Sequence, residues 1–179
     1  FELGNNNLNL FRIFYDGLSE SEKREVIVIN EGSEERLSKI YEDYSLEKLD
    51  NWTDAKMRWR YSRYQMPARL KITKELMRIF GYYAAEGYSR KNKWVSQIAF
   101  RICDNEMQEG ICDDIRKAFG IQPNLGEGNS KITICSKLVY YLFKCIEVGD
   151  GAYKKRVPSF IFGLNKNLVA EYISSYFEG

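Results

Sequence analysis

Two segments of the sequence place small residues four positions apart, on stretches whose apolar pattern predicts helices. The first runs Gly81-Tyr-Tyr-Ala-Ala85-Glu86-Gly87, and the second runs Ser175-Tyr-Phe-Glu-Gly179. Small residues at this spacing let two helices pack with their backbones close together, which would bring their C-terminal ends side by side. An acidic residue from each helix could then hold Mg²⁺ between protein oxygens and the phosphates of a substrate.

The acidic position is explicit in the first segment, where Glu86 precedes a glycine. When the small residues of the two segments are aligned, the matching acid of the second segment falls at position 180, one beyond Gly179. We therefore expect an excised fragment that stops before its second metal ligand. An alternative alignment uses Glu178 as the acid, but it would put the bulky Ile173 and Phe177 at the close-packing positions. We favour the first alignment for this reason.

Composition limits the remaining chemistry. The chain has no histidine, which excludes Ser-His-Asp triads and leaves carboxylates, lysines and bound metal as the means of catalysis. Its four cysteines form no CxxC pair, which argues against structural zinc and favours reduced thiols in a cytoplasmic protein. The sequence has no glycine-rich phosphate-binding motif and no apolar run long enough for a membrane. The net charge is only +2, with the positive excess in residues 71–179.

The first segment resembles the first motif of the LAGLIDADG homing endonucleases, in the form found in inteins. The resemblance implies a site-specific double-strand DNA endonuclease with Mg²⁺ as cofactor, in which Glu86 is catalytic and belongs to a metal site with Gly179. The run Lys155-Arg-Val-Pro-Ser-Phe resembles the K-x-I-P-x-F segment before the family's second motif, and implies a catalytic role for Lys155 at the scissile phosphate. The residues before it match the family poorly, so Lys154 remains an alternative. Residues 8–29 also resemble the stretch that links the splicing and endonuclease parts of archaeal polymerase inteins.

The elements that must position these residues are predicted most clearly after Thr73, a candidate helix N-cap. From there the pattern predicts helix, two strands, helix, two strands and helix, then a linker and a helix like the first. The fold class is therefore α+β with antiparallel hairpins. The resemblance implies the αββαββα half of a LAGLIDADG endonuclease, a saddle sheet with helices on one side. We divide the chain into an accessory region at 1–70, a first endonuclease unit at 71–163 and the truncated start of a second unit at 164–179.

The accessory region is predicted to be mostly helical. Residues 33–61 are polar with apolar positions spaced for one helix face, whereas residues 25–29 form a β-branched run typical of a strand. Residues 52–64 are crowded with Trp, Arg and Tyr. They form either an auxiliary DNA-binding arm or a packing cluster.

The strand predicted to end at residue 103 has two faces, because side chains alternate along a strand. One face carries Trp94, Ile98, Phe100 and Ile102, and the other carries Gln97, Ala99 and Arg101. The resemblance implies that exposed saddle positions contact double-stranded DNA with a long target site. The candidate DNA-binding residues are Arg90, Lys93, Gln97, Arg101, Lys131 and Thr133.

Three other functions remain open at this point. The chain could be a DNA-binding protein of the same fold that does not cleave, or an RNA-binding intron maturase, which would bind RNA tightly without nicking DNA. A purely structural module would bind no nucleic acid. Under the endonuclease interpretation, full activity needs a second LAGLIDADG unit, supplied in cis or by dimerisation.

Overall fold

The computed structural model describes residues 6–126, 130–151 and 153–179. These ranges contain two four-stranded antiparallel sheets, a two-stranded ribbon and eight α-helices. The predicted α+β class is therefore confirmed. No helix within the described ranges has the length and apolar character needed to cross a membrane.

The N-terminal part combines a sheet with short helices. Its elements are β1 (Asn7–Asn9), α1 (Leu10–Gly17), α2 (Glu20–Lys23), β2 (Val26–Asn30), β3 (Ser33–Arg36), α3 (Leu37–Asp43), α4 (Leu46–Leu49), β4 (Lys56–Trp59), β5 (Gln65–Pro67) and β6 (Arg69–Lys71). The four-stranded sheet has the order β3-β2-β4-β5, and β1 pairs with β6. The prediction of a mostly helical accessory region is wrong.

The error lies in residues 33–61, which contain two strands as well as helices. The strand predicted at residues 25–29 is present as β2, and its Val28 lies opposite Glu35 of β3 and Met57 of β4. The four residues of β3, Ser-Glu-Glu-Arg, are all exposed and show no apolar alternation. Their strand conformation therefore depends on pairing with β2 and not on a local pattern.

The C-terminal part follows the predicted order of elements. They are α5 (Lys74–Glu86), β7 (Gly87–Lys91), β8 (Ser96–Arg101), α6 (Asn105–Phe119), β9 (Asn124–Leu125), β10 (Lys131–Ile134), α7 (Lys137–Cys145), a 3-10 turn (Ser159–Gly163) and α8 (Lys166–Glu178). The second four-stranded sheet has the order β7-β8-β10-β9 and is antiparallel throughout.

Side-chain caps mark where helices α5 and α6 begin, and a glycine in the left-handed conformation marks where α6 ends. The Thr73 hydroxyl accepts a hydrogen bond from the Leu76 amide at 3.3 Å, and the Asp104 carboxylate accepts one from the Met107 amide at 2.8 Å. α6 ends at Gly120, whose φ of 66° is accessible to glycine without steric cost. The predicted cap at Thr73 is confirmed. The sequence of residues 105–119 also predicts a helix that ends at Gly120, and α6 confirms it.

One face of the second sheet packs against helices α5 and α7. Ile98 and Phe100 of β8 are fully buried on this face. Phe143 of α7 contacts Phe80 and Tyr83 of α5, with ring centroids 5.1 and 5.0 Å apart. The helices and the sheet thus share one aromatic core, which fixes the C-terminal end of α5 relative to the strands.

The N-terminal part packs against the opposite side of α7. Trp59 stacks on Tyr141 with ring centroids 4.7 Å apart and an interplanar angle of 4°. Gly17 of α1 lies against Cys145, leaving no room for a side chain. The buried residues of both parts form one continuous cluster. The division of the chain at residue 70 stays a prediction.

Candidate functional site

Helices α5 and α8 run side by side in the same direction and touch through their small residues. A methyl group on Gly81 would lie 2.8 Å from the Ser175 Cβ, and one on Gly179 would lie 2.9 Å from the Ala85 Cβ. Both distances are shorter than van der Waals contact, so glycine is what allows this approach. The buried Ser175 hydroxyl donates to the Glu171 carbonyl at 2.8 Å, within its own helix. The observed pairs are those obtained by aligning the small residues.

Glu178, the acid of the alternative alignment, is held by hydrogen bonds away from the contacts between the small residues. Its carboxylate accepts hydrogen bonds from the Tyr82 hydroxyl at 3.1 Å and the Ser174 hydroxyl at 2.9 Å. Burial, reinforced by the Glu178 charge, raises the pKa of Tyr82 to about 12. The phenol therefore stays protonated at neutral pH and donates a hydrogen bond to Glu178. This bond joins α5 to α8.

Glu86 is the last residue of α5, and its side chain is exposed. β7 begins at the next residue, Gly87, whose backbone lies against the Tyr83 ring. On the other side is the end of α8, where a methyl group on Gly179 would be 3.7 Å from the Glu86 Cγ. The carboxylate thus stands where the two helix ends meet and faces solvent.

Lys155 reaches the same helix end from the loop before the 3-10 turn. Its ammonium group donates a hydrogen bond of 2.9 Å to the Ala85 carbonyl and lies 5.8 Å from the centre of the Tyr83 ring. Partial burial lowers the pKa of Lys155, while the charges of Glu86 and Asp150 act in the opposite direction. The structure therefore brings a cation beside the residue that precedes Glu86.

Lys154, the alternative candidate, is exposed. It lines a cleft of about 420 Å³ at the end of α7, together with Tyr140 of that helix and Arg156 of the loop. The hydrogen bond to the Ala85 carbonyl at the end of α5 comes from Lys155. The geometry therefore favours Lys155 as the lysine of this site.

The acidic donors near Glu86 are few. In the parts of the chain that the structure describes, no three Cys, Asp or Glu side chains converge as they would in a preformed metal site. Magnesium, however, is commonly bound by only one or two carboxylates, with substrate phosphates and waters completing the shell. Glu86, exposed beside Gly179, fits this smaller requirement as one carboxylate donor.

Five of the six candidate DNA-binding residues lie on one face of the second sheet. The register pairs Arg90 with Gln97, Arg101 with Lys131, and Thr133 with Ala99. Directly paired residues project to the same side, and successive strand residues project to opposite sides. All of these side chains therefore point away from the face that buries Ile98 and Phe100 on the helices.

The five residues differ in exposure. Arg90 and Arg101 are exposed and Lys131 is half-buried, whereas Gln97 and Thr133 are each only 7% exposed. The arginines and the lysine are thus available to a ligand, and the two shorter side chains form the floor between them.

Tyr88 belongs to this face but was not identified from the sequence. It lies opposite Ala99 in the register, and its ring centre is 5.7 Å from the Lys131 ammonium. The alternation of the first strand of the hairpin, which places Tyr88 and Arg90 on the same side, is the signal that could have found it.

Lys93, the sixth candidate, is in the turn between β7 and β8 and not on a strand. The turn is closed by Asn92, whose side-chain oxygen accepts hydrogen bonds from the Trp94 and Val95 amides at 2.9 and 2.7 Å. The prediction that Trp94 shares a strand face with Ile98 is wrong, because β8 begins only at residue 96 and Trp94 is 79% exposed.

Comparison of the chain with known protein families gives no match. Among individual proteins, the chain is 42% identical over 107 residues to the DNA polymerase II large subunit of Thermococcus kodakarensis, which covers 59% of the chain and 6% of that protein. It is 29% identical over 121 residues to a DNA polymerase of the same organism, covering 65% of the chain and 7% of the polymerase. It is also 27% identical over 123 residues to the uncharacterized protein MJ1054 of Methanocaldococcus jannaschii, with coverages of 64% and 14%. The chain thus spans a small fraction of each relative, and it is similar to short segments of archaeal DNA polymerases.

Proposed function

We propose that this chain is the DNA-binding and DNA-cleaving core of a LAGLIDADG homing endonuclease, encoded within an intein of an archaeal DNA polymerase. The observation that carries the proposal is the close packing of α5 and α8, which sets the Glu86 carboxylate at the junction of two helix ends with Lys155 beside it. The similarity to segments that make up only 6–7% of two polymerases supports an inserted element as the origin of the sequence.

The basic face of the second sheet supports DNA as the substrate. Arg90, Arg101 and Lys131 project from one side of strands β7, β8 and β10, opposite to the buried side. Arginine and lysine side chains bind phosphates and the acceptor edges of guanine in the major groove. Gln97 and Thr133 are buried on this face, which would let a duplex approach the cations closely.

A divalent metal, Mg²⁺ by expectation, would supply Lewis-acid activation of the scissile phosphate and of the attacking water when bound. Glu86 would hold this metal from the protein side. The Lys155 ammonium, kept in place by the Ala85 carbonyl, would stabilise negative charge that develops on the phosphate. The roles differ, so removal of Glu86 should cost metal binding and removal of Lys155 should not.

An exposed apolar face on α8 supports a second unit as the partner. Ile173, Tyr176 and Phe177 all lie on this last helix with exposed side chains, and Phe177 is 79% exposed. Large apolar side chains clustered on one element commonly mark an interaction site. We propose that a second LAGLIDADG unit, in cis or from another chain, covers this face and provides the second acid.

The test is Mg²⁺-dependent cleavage of a plasmid library of archaeal DNA polymerase gene fragments. Three proteins are compared, namely this chain, the chain extended through the following unit, and the extended chain with Glu86→Gln, which keeps the size of the side chain. We expect cleavage by the extended chain and none by its Glu86→Gln variant, with DNA binding retained. Specific binding without cleavage by any form would instead indicate a non-cleaving DNA-binding protein, and tight RNA binding without nicking would indicate a maturase. No nucleic-acid binding would contradict all three.

A further inference from the structure

The turn between β4 and β5 presents an exposed aromatic ring on a constrained backbone. Tyr61 is 84% exposed and has a φ of 63°, a left-handed conformation that residues with side chains rarely adopt. The Arg60 guanidinium lies 4.7 Å from the centre of its ring. The Ser62 amide donates to the Trp59 carbonyl at 2.9 Å, which closes the turn. The turn thus holds a ring and a cation together in solvent, away from the core.

The turn between β7 and β8 does the same with different residues. Trp94 is 79% exposed, and the Lys93 ammonium lies 5.0 Å from the centre of its ring. The Asn92 side chain fixes the turn through two backbone amides, and the Asn92 amide donates to the Val95 carbonyl at 2.8 Å. An exposed tryptophan on an ordered turn has no part in the packing of this chain.

Each turn follows a strand whose last residue contacts Tyr141. Tyr141 of α7 stacks on Trp59, the last residue of β4, and its hydroxyl accepts a hydrogen bond of 2.6 Å from Lys91, the last residue of β7. Tyr61 is two residues beyond Trp59 and Trp94 is three beyond Lys91. Both turns therefore follow, within three residues, a side chain that contacts Tyr141.

The surroundings of the junction are mainly positive. Arg63 and Lys137 are exposed, and the Lys137 ammonium lies 5.7 Å from the centre of the Trp59 ring. Two acids, Glu22 and Glu25, pair with cations at these turns. Glu22 lies 3.8 Å from Lys91, and Glu25 lies 3.5 Å from Arg60. Cations interleaved with aromatic rings fit a nucleic acid, since the cations bind phosphates and the rings can pack against the sugars of the backbone.

We propose that the two turns, residues 60–63 and 92–95, form a second contact surface for duplex DNA in addition to the basic face of the sheet. Tyr61 and Trp94 pack against the DNA, and Arg60, Arg63 and Lys93 bind phosphates. The proposal rests on the proposed function, because the same duplex would occupy both surfaces. It assigns the N-terminal part a role in binding and not only in packing.

The experiment measures binding of the full chain to a fluorescein-labelled random-sequence DNA duplex of about 40 base pairs, roughly 136 Å long, by anisotropy over a range of NaCl concentrations. The aromatic variant is Tyr61→Ala with Trp94→Ala, and the charge variant is Arg60→Ala with Arg63→Ala. Phe162→Ala is the matched control, because Phe162 is also 79% exposed but lies in the 3-10 turn. Arg101→Ala with Lys131→Ala tests the sheet face separately. An RNA duplex of the same length is titrated in parallel.

We expect the aromatic variant to raise Kd by about fivefold or more, because two exposed rings lose the apolar area that they bury against the DNA backbone. The charge variant should reduce the slope of log Kd against log[NaCl] by about two, one for each phosphate contact, and Phe162→Ala should bind like the unmodified chain. If both turn variants bind normally while the sheet-face variant is weakened, the second surface is wrong and the proposed function stands. Turn-dependent binding that is tighter to RNA overturns DNA as the partner. If the unmodified chain binds neither duplex, both proposals fall.

Discussion

Gly81 and Ser175 are so close that a methyl group added to Gly81 would lie 2.8 Å from the Ser175 Cβ. This contact joins residues 94 positions apart and sets the separation of α5 and α8. The same approach brings Gly179 against Ala85 one turn further on, directly before Glu86. The position of the candidate metal ligand thus depends on how tightly two helix backbones pack.

Gly81→Ala should therefore destabilise the protein, although alanine is the better helix former. Overpacking of a tight contact costs about 1–3 kcal/mol, which exceeds the gain of about 0.5–1 kcal/mol from replacing a helical glycine. Gly110→Ala is the matched control, since Gly110 lies in α6 with open space around it and should gain stability. Urea unfolding of both variants measures the difference. Equal stabilisation by the two substitutions would show that α5 and α8 do not pack at this distance.

Ion pairs of Arg78 join α5 to α6 and α8 near the N-terminal end of α5. Arg78 of α5 donates to both carboxylate oxygens of Asp114 in α6, at 2.8 and 2.6 Å, and to Glu171 of α8 at 2.9 Å. These carboxylates raise the pKa of Arg78, led by Asp114 and opposed by burial. Asp114 itself is only 5% exposed.

Arg78→Met should lower the free energy of unfolding by about 2–4 kcal/mol, because it leaves the buried Asp114 carboxylate without its cation. Arg78 is partly exposed, so this loss is smaller than the largest values for fully buried pairs. Arg116→Met is the control, since Arg116 pairs with the exposed Asp113 on the same helix and should lose less than about 0.5 kcal/mol. Thermal unfolding compares the two. Similar losses would mean that the three-helix ion cluster adds no more than a surface pair.

Sequence patterns predicted the elements that carry their own local signals. Thr73 and Gly120 mark helix ends because a hydroxyl cap and a left-handed glycine act on their immediate neighbours. β3 could not be predicted in this way, since its exposed Ser-Glu-Glu-Arg forms a strand only through pairing with β2. Trp94 was misplaced because the Asn92 turn interrupts an alternation that the sequence alone extends by two residues.

The candidate site likewise combines a feature that the local sequence shows with contacts between residues far apart in the chain. The small-residue spacing that precedes Glu86 is visible in the sequence, and the helix contact at Gly81 follows the alignment drawn from it. The hydrogen bond between Lys155 and the Ala85 carbonyl joins residues 70 positions apart. No spacing rule gives that contact, and only the family resemblance pointed to Lys155. The exposure differences between Arg101 and Gln97 likewise depend on neighbouring strands.

Asp50 should make the N-terminal part sensitive to acid. Its carboxylate accepts hydrogen bonds from Arg12 and from the Asn9 amide at 2.7 Å, and it lies 3.3 Å from Arg69. The hydrogen bond from Arg12 is the main cause that lowers the pKa of Asp50, and burial opposes it. A lowered carboxylate pKa adds stability that is present above the unfolded pKa of about 3.9 and is lost as the pH falls through the folded value.

Asp50→Asn should therefore cost about 1–3 kcal/mol at pH 7, and the deficit should stay constant down to about pH 5 and shrink below about pH 4. The measurement is urea unfolding of both proteins across this pH range. Asp43→Asn is the control, because Asp43 pairs with Lys39 on the surface of α3 at 3.0 Å and such exposed pairs contribute little. A deficit for Asp50→Asn that grows on acidification would contradict the assignment of its ionised form to the folded state.

Lys155→Met should abolish most cleavage while leaving DNA binding and folding nearly intact. Loss of one preorganised donor to a developing anion commonly reduces kcat by about 10²–10³-fold. Methionine keeps an unbranched apolar side chain at this partly buried position. The assay is single-turnover cleavage by the protein extended through the second unit. Lys154→Met is the control, since Lys154 is exposed and only Lys155 donates a hydrogen bond to the Ala85 carbonyl.

The pH dependence distinguishes a charged Lys155 from a structural one. Partial burial lowers the pKa of Lys155 from that of an ordinary lysine, and Glu86 and Asp150 offset part of this effect. If the ammonium form stabilises the phosphate, the single-turnover rate should fall as the pH rises through this lowered pKa, and the Lys155→Met variant should lose that decline. A variant rate that declines in parallel with the unmodified protein would assign the titration to another group. Equal loss of activity in Lys154→Met and Lys155→Met would remove the reason to place Lys155 at the phosphate, because only Lys155 donates to the Ala85 carbonyl beside Glu86.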